Sequence, residues 1–131
     1  MGVTSPFNTT RLDHVAIVVT DVARAVAFYR EVLCLTEIAR PPSFDFPGAW
    51  FRLGPAAGGQ TLHLLGMDES EGRGRRHFCM MVDDLRAAET HITSKGLEVL
   101  WNTKHKIAGI DRFFVYDPDG NRVELQGAEL S

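Results

Sequence analysis

Three histidines and one glutamate hold the chemical interest of this chain: His14, His63, His77 and Glu124. Imidazole and carboxylate together suit a divalent transition metal. Two histidines with one carboxylate make the facial triad that holds iron, and a fourth ligand also admits zinc, nickel, cobalt or manganese. The four residues form no contiguous motif, so their meaning lies in where the fold puts them. His63 and Glu124 are also the two groups that can take a proton from carbon next to a carbonyl.

Their positions are tied together by an internal repeat. Sliding the chain by 63 residues lays HVAIVVTDVARA, from His14, on HFCMMVDDLRAA, from His77. The same slide lays WFRLG (50–54) on FFVYD (113–117). After a loop two residues longer in the first copy, TLHLL (61–65) falls on RVELQ (122–126), and His63 falls on Glu124. Each copy reads as a strand, a helix and then strands. The expected strands are 14–19, 37–39, 49–53 and 61–65, then 77–82, 98–101, 113–116 and 122–126. Asp21 and Asp84 sit where helix N-caps belong. Val22, Ala25, Val26, Tyr29, Val32 and Leu33 make one apolar helix face, and Leu85, Ala88 and Ile92 make another. Gly96 ends the second helix, and Cys34 takes the corresponding place in the first. DPDGN (117–121) is a hairpin turn.

The expected fold is α+β: two βαβββ modules in a pseudo-two-fold arrangement, forming a curved mixed sheet around a metal cup. One domain covers 11–131, with module one at about 11–66 and module two at about 74–127; 1–10 is an N-terminal tail and 66–76 a polar linker. Side chains alternate along a strand. His14, Ala16 and Val18 therefore share one face, while Val15, Ile17 and Val19 point to the helix. His77 shares its face with Cys79 and Met81, and Glu124 with Arg122 and Gln126.

Composition narrows the function. The 131 residues are 44% hydrophobic and 24% charged, with a net charge of −3, the balance of a globular protein. No basic field exists for a nucleic-acid backbone, since 73–76 is answered by Asp68, Glu69 and Glu71. No apolar run is long enough to span a membrane, and MGVTSPFNTTR is not a secretory signal. Cys34 and Cys79 do not suggest a disulfide framework, which makes the cytoplasm the default location.

The pieces LDHVAIVVTDVARAVAFYREVLCL, WFRLG…TLHLL, RHFCMMVDDL and RFFVYDPDGNRVEL resemble the vicinal oxygen chelate superfamily, the glyoxalase/bleomycin resistance/dioxygenase group. The resemblance runs from Arg11 to Gln126, and DPDGN followed by glutamate is its most specific piece. It implies two βαβββ modules around a divalent metal (Zn, Ni, Co, Mn or Fe) held by His14, His63, His77 and Glu124. Glyoxalases commonly have glutamate, and epimerases glutamine, where this chain has His63. The implied function is a metal-dependent lyase or isomerase of the glyoxalase type, chelating a small substrate through vicinal oxygens and stabilising an enediolate-like anion. Two alternatives stand beside it: an Fe(II) extradiol-type dioxygenase, and a metal-free binding protein of the bleomycin-resistance type. A homodimer is expected, because a second copy can cover exposed sheet edges.

Other residues have simpler readings. Arg112 begins the strand after an irregular loop (102–112) and is placed to meet a substrate anion. His91 reads as a surface residue on a polar helix flank. Lys104, His105 and Lys106 read as a solvated loop, Cys79 as packing. Trp50, Trp101, Phe44 and Phe46 read as core or interface, with Phe44 and Phe46 in a proline-rich segment (41–48) that has the make-up of a lid.

Overall fold

The computed structural model describes residues 11–55, 59–68 and 76–130, together with Pro6. The rest of the expected tail, and most of the expected linker, lie outside the described residues. The elements run β1 (His14–Val19), α1 (Val22–Ala27), β2 (Thr36–Ile38), β3 (Gly48–Leu53), β4 (Gln60–Gly66), β5 (His77–Met81), α2 (Leu85–Ser94), β6 (Leu100–Trp101), β7 (Ile110–Tyr116) and β8 (Arg122–Ala128). A π-helical stretch, Phe28–Val32, carries α1 onward. The chain is α+β and is built as βαβββ twice. It forms two four-stranded mixed sheets, ordered β1-β4-β3-β2 and β5-β8-β7-β6. In each, the first strand pairs in parallel with the last and the remaining pairs are antiparallel.

Register bears on the repeat directly. His14 lies opposite Thr61 and Ala16 opposite His63; His77 lies opposite Arg122 and Cys79 opposite Glu124. The two copies are thus the same construction at their ligand positions. The third strand corrects the slide. Trp50 lies opposite His63 and Phe114 opposite Glu124. Trp50 therefore corresponds to Phe114, not Phe113, and the first copy's loop is longer by one residue more than the slide implies. A one-residue slip exchanges the two faces of a strand, so the error had put Trp50 in the place of a core residue.

The helices start where the aspartates predict. Asp21 accepts from the Arg24 N–H at 3.0 Å and Asp84 from the Ala87 N–H at 2.9 Å. Beyond α2, Gly96 takes φ +83°, and beyond the first helix Cys34 takes φ +59°. Cys34 is the one non-glycine with positive φ among the described residues, a conformation that costs an L-residue about 1–2 kcal/mol.

The helix-facing sides of both sheets share one core. Val19, Phe51, Leu62 and Leu64 of the first sheet pack in the same cluster as Phe113, Val115, Val123 and Leu125 of the second, with Ala25, Phe28, Tyr29, Leu85 and Ile92. Both ligand-bearing faces consequently point away from it.

A polar lock joins the modules inside this apolar contact. Asp117, 5% exposed, accepts from the Tyr29 hydroxyl at 2.9 Å, from the Asp119 and Asn121 N–H groups and from the Asn121 amide. Asn121 also donates to the Val18 carbonyl at 3.0 Å, and Asp119 accepts from the Thr20 hydroxyl and N–H. The DPDGN turn is thus a staple onto the β1–α1 junction as well as a hairpin. Burial, then the charge of Asp117, push the Tyr29 phenol well above its ordinary value. Its folded pKa exceeds its unfolded one, so its stabilisation is full below pH ~10 and is lost as pH rises beyond. Tyr29→Phe should therefore cost about 1.5–3 kcal/mol at neutral pH, as for a hydrogen bond to a charged group. Urea melts of both proteins should show the gap narrowing above pH ~10; a gap independent of pH would show that Tyr29 is not held protonated.

Candidate metal centre

In the first module, His14 and His63 stack, their ring centroids 4.2 Å apart and their planes 13° from parallel. The register explains the contact. The two residues are diagonal neighbours on one face of β1–β4, and the small Ala16 lies opposite His63. Trp50 covers the other side of His63 with its ring parallel at 3.8 Å. Thr61 Oγ1 lies 2.8 Å from His63 Nε2, and Asp13 Oδ2 lies 2.8 Å from His14 Nδ1. A carboxylate on one ring nitrogen turns the other outward, the usual support for a metal-binding histidine. Burial, then the neighbouring His14, hold the His63 imidazole below its ordinary pKa. His63 is therefore uncharged at neutral pH, the form that binds a cation or accepts a proton.

In the second module, His77 Nε2 lies 2.9 Å from Glu124 Oε1. Glu124 is buried on the central strand β8, and its Oε2 accepts from Arg112 Nη1 at 3.1 Å. Arg112 also donates from Nη2 to the His105 carbonyl at 2.7 Å. Its guanidinium is thereby committed to orienting Glu124 and bracing the 102–109 loop, which differs from the expected role of meeting a substrate anion. The edge of Phe114 meets His77, with centroids 5.4 Å apart and planes at 87°. Cys79 is exposed on the outer face of this chain, which differs from the packing expected of it; partial desolvation, then Glu124, push its thiol up to about 11.

The structure brings His14 to His63 and His77 to Glu124, but not the four together within one chain. Among the described residues, no three His, Cys, Asp or Glu side chains converge as a metal site would require. The sequence left open whether the cup forms within one chain or across a dimer; here both sheets turn their apolar sides to the shared core, so each half-site faces away from it. Each half-site nevertheless has the donors a divalent cation needs. One has an uncharged buried imidazole beside a braced one. The other has an imidazole against a carboxylate oxygen, whose partner oxygen is already held by Arg112.

Several residues differ from their sequence readings. Trp50 lies on the ligand-bearing face, and Phe44 meets it edge-on at 5.2 Å, so the 41–48 segment borders the first half-site. Lys106 pairs with Asp111 at 2.6 Å. His91 is not a free surface group: its Nε2 lies 3.0 Å from the Glu31 carbonyl and 3.5 Å from Cys34 Sγ, linking the two helices. Thr61, Asp13 and Arg122 went unremarked as site residues. Strand alternation from His63 would have found Thr61, and alternation from Glu124 does place Arg122 on the ligand face.

The family model for the Glyoxalase/Bleomycin resistance protein/Dioxygenase superfamily matches residues 11–125, and the chain belongs to that superfamily. It is 28% identical over 130 residues to Glyoxylase I 4 of Arabidopsis thaliana, covering 92% of this chain and 72% of that protein. It is 32% identical over 130 residues to the ethylmalonyl-CoA/methylmalonyl-CoA epimerase of Cereibacter sphaeroides, covering 88% of this chain and 96% of that one. Among solved structures, a glyoxalase family protein from Bacillus anthracis superposes with a TM-score of 0.83 at 25% identity, over 95% of this chain and 100% of that one.

The environment of Cys79 makes a measurable prediction. In a Cys34→Ser variant, the remaining thiol should react with Ellman's reagent at pH 8 about two orders of magnitude more slowly than a free cysteine of pKa ~8.5, because so little thiolate is present. The rate should rise about tenfold per pH unit up to the thiol's value of about 11. Fast labelling at pH 8 would contradict the raised pKa of the Cys79 thiol.

Proposed function

We propose that this protein is a metal-dependent lyase or isomerase of the glyoxalase and epimerase kind, acting on a small substrate with two neighbouring oxygens. The observation that carries this reading is the register equivalence of the two half-sites: four ligand-type side chains at two matched pairs of positions. His14 and His63 of one copy, with His77 and Glu124 of another, would hold the cation. The half-sites face outward on each chain, so the cup is completed in a homodimer, each cup taking one half-site from either subunit. The bound cation would supply Lewis-acid stabilisation of negative charge building on the chelated oxygens.

The chain's own residues do the rest. His63 is uncharged at neutral pH and is fixed between Trp50 and His14, with Thr61 on its Nε2. Released from the cation, it would be the group to accept a proton from substrate carbon. Glu124 stays oriented through Arg112. Trp50 stacks on His63 and Phe44 meets Trp50 edge-on, giving the first half-site an aromatic wall. Two of the relatives, a glyoxylase I and an acyl-CoA epimerase by name, support this reaction class over the dioxygenase reading.

Two double variants test the proposal, His14→Ala/His63→Ala and His77→Ala/Glu124→Ala. Neither alone should retain metal by elemental analysis. Mixed and allowed to exchange subunits, they should regain metal in about a quarter of the cups, since each mixed dimer has one intact cup. Turnover of the glutathione hemithioacetal of methylglyoxal, or of a methylmalonyl thioester epimer, should return in step. Wild-type protein that takes up no zinc, nickel, cobalt, manganese or ferrous iron would sink the metal reading. Metal bound by a monomer, with no recovery on mixing, would sink the shared cup and leave the metal standing.

A further inference from the structure

Arg122 is the cation that neither the fold nor the metal ligands account for. It lies on the ligand-bearing face, directly opposite His77 in the β5–β8 register and two residues before Glu124. Its guanidinium carbon sits 3.6 Å from the centroid of the Phe114 ring. An aromatic face holds a guanidinium in a fixed plane and leaves its N–H edge available. The Nε of Arg122 is buried without a hydrogen-bond partner, and no ion pair joins this residue among the described residues. The Nε of Arg112 is likewise without a partner, but its Nη1 and Nη2 donate to Glu124 and the His105 carbonyl. The rest of this half-buried guanidinium is left to solvent or to a ligand, and a buried N–H without a partner such as its Nε is costly.

The repeat gives Arg122 a second significance. Thr61 holds its place in module one, being the residue opposite His14. The two half-sites match in the positions of their ligands and of their aromatic neighbours, Trp50 and Phe114. They differ in that one offers a hydroxyl, already engaged with His63, and the other an open cation. A cup built from both halves is nearly symmetric in its metal ligands and asymmetric in charge. A substrate with an anionic end would enter it in one orientation only.

We propose that Arg122 reads an anionic group on the substrate: besides the two chelating oxygens, the substrate bears a carboxylate or a comparable planar anion that docks on the Arg122 guanidinium beside His77. This deepens the metal-dependent reading above and rests on it for the chelating half of the substrate. The anion site itself rests on Arg122 and Phe114 alone.

The test uses two small chelators, acetohydroxamic acid and the monohydroxamic acid of succinate, which differ by a carboxylate. Calorimetry on metal-loaded wild-type protein should show the carboxylate-bearing probe binding about tenfold or more tighter, the range of one charge-assisted hydrogen-bonded pair. Arg122→Gln should abolish that preference while metal content and acetohydroxamate affinity stay as they were. Arg122→Lys should keep part of it, because lysine retains the charge without the planar fork. Equal binding of both probes by the wild type would overturn the proposal. So would a preference that survives in Arg122→Gln, or a lowered melting temperature as that variant's sole effect. A metal-independent arm separates the two readings. In metal-free wild-type protein, succinate, but not succinamide, should shift the Nε–H resonance that Arg122→Gln removes. If that shift occurs in protein that never takes up metal, the metal reading fails and the anion site stands. If metal binds and the resonance does not move, the reverse holds.

Discussion

The apolar sides of two four-stranded sheets close on one core around Tyr29, Phe51 and Phe113, to which both helices contribute. Each fully buried aromatic or aliphatic side chain there contributes about 1.5–3 kcal/mol, so this contact fixes which way each sheet faces. Strand alternation does the rest. Once Val15, Ile17 and Val19 turn inward, His14 and Ala16 must turn outward, and the same parity sends His77, Cys79, Arg122 and Glu124 to the outer face of the second sheet. The division of the ligands into two pairs follows from the hydrophobic packing and needs no further cause.

The polar lock at Asp117 keeps this packing to one arrangement. A sheet pressed on helices through apolar contact alone can slide at small cost. A buried carboxylate with four donors around it cannot move without losing them, and each lost partner costs about 1–3 kcal/mol. Because the donors come from Tyr29 in one module and from the 117–121 turn in the other, the lock fixes the angle between modules. The outward half-sites are held at that fixed angle.

Most of the fold was legible because it rests on local signals. Both capping aspartates, the helix faces and all eight strands follow from spacing and residue type, within one to three residues. The ligand pairs were legible because strand parity is arithmetic. What escaped were facts of pairing. The one-residue error at Trp50 arose from matching aromatic with aromatic, WF on FF, whereas only the ladder partners, His63 and Glu124, set the alignment. The commitment of Arg112 to Glu124 escaped for a similar reason, since it depends on two strands lying side by side. The sequence left open whether the cup closes within a chain, because that turns on whether helix faces or strand edges of the two copies meet. Both surfaces are apolar enough to serve.

The lock has one further consequence, for synthesis. Tyr29 and Asp117 are 88 residues apart, and Val18 and Asn121 are 103 apart. Module one has a complete set of strands and a helix by Gly66, yet the partner for its apolar side is module two, and the staple arrives only with the second copy. Contacts so distant in sequence form late and slow the search. A nascent chain that has finished its first copy therefore presents an uncovered hydrophobic surface, and an edge strand, to everything near the ribosome until the second copy emerges. The resemblance between the copies adds a hazard at that stage, because two neighbouring nascent first copies offer each other the same kind of surface that the missing second copy would.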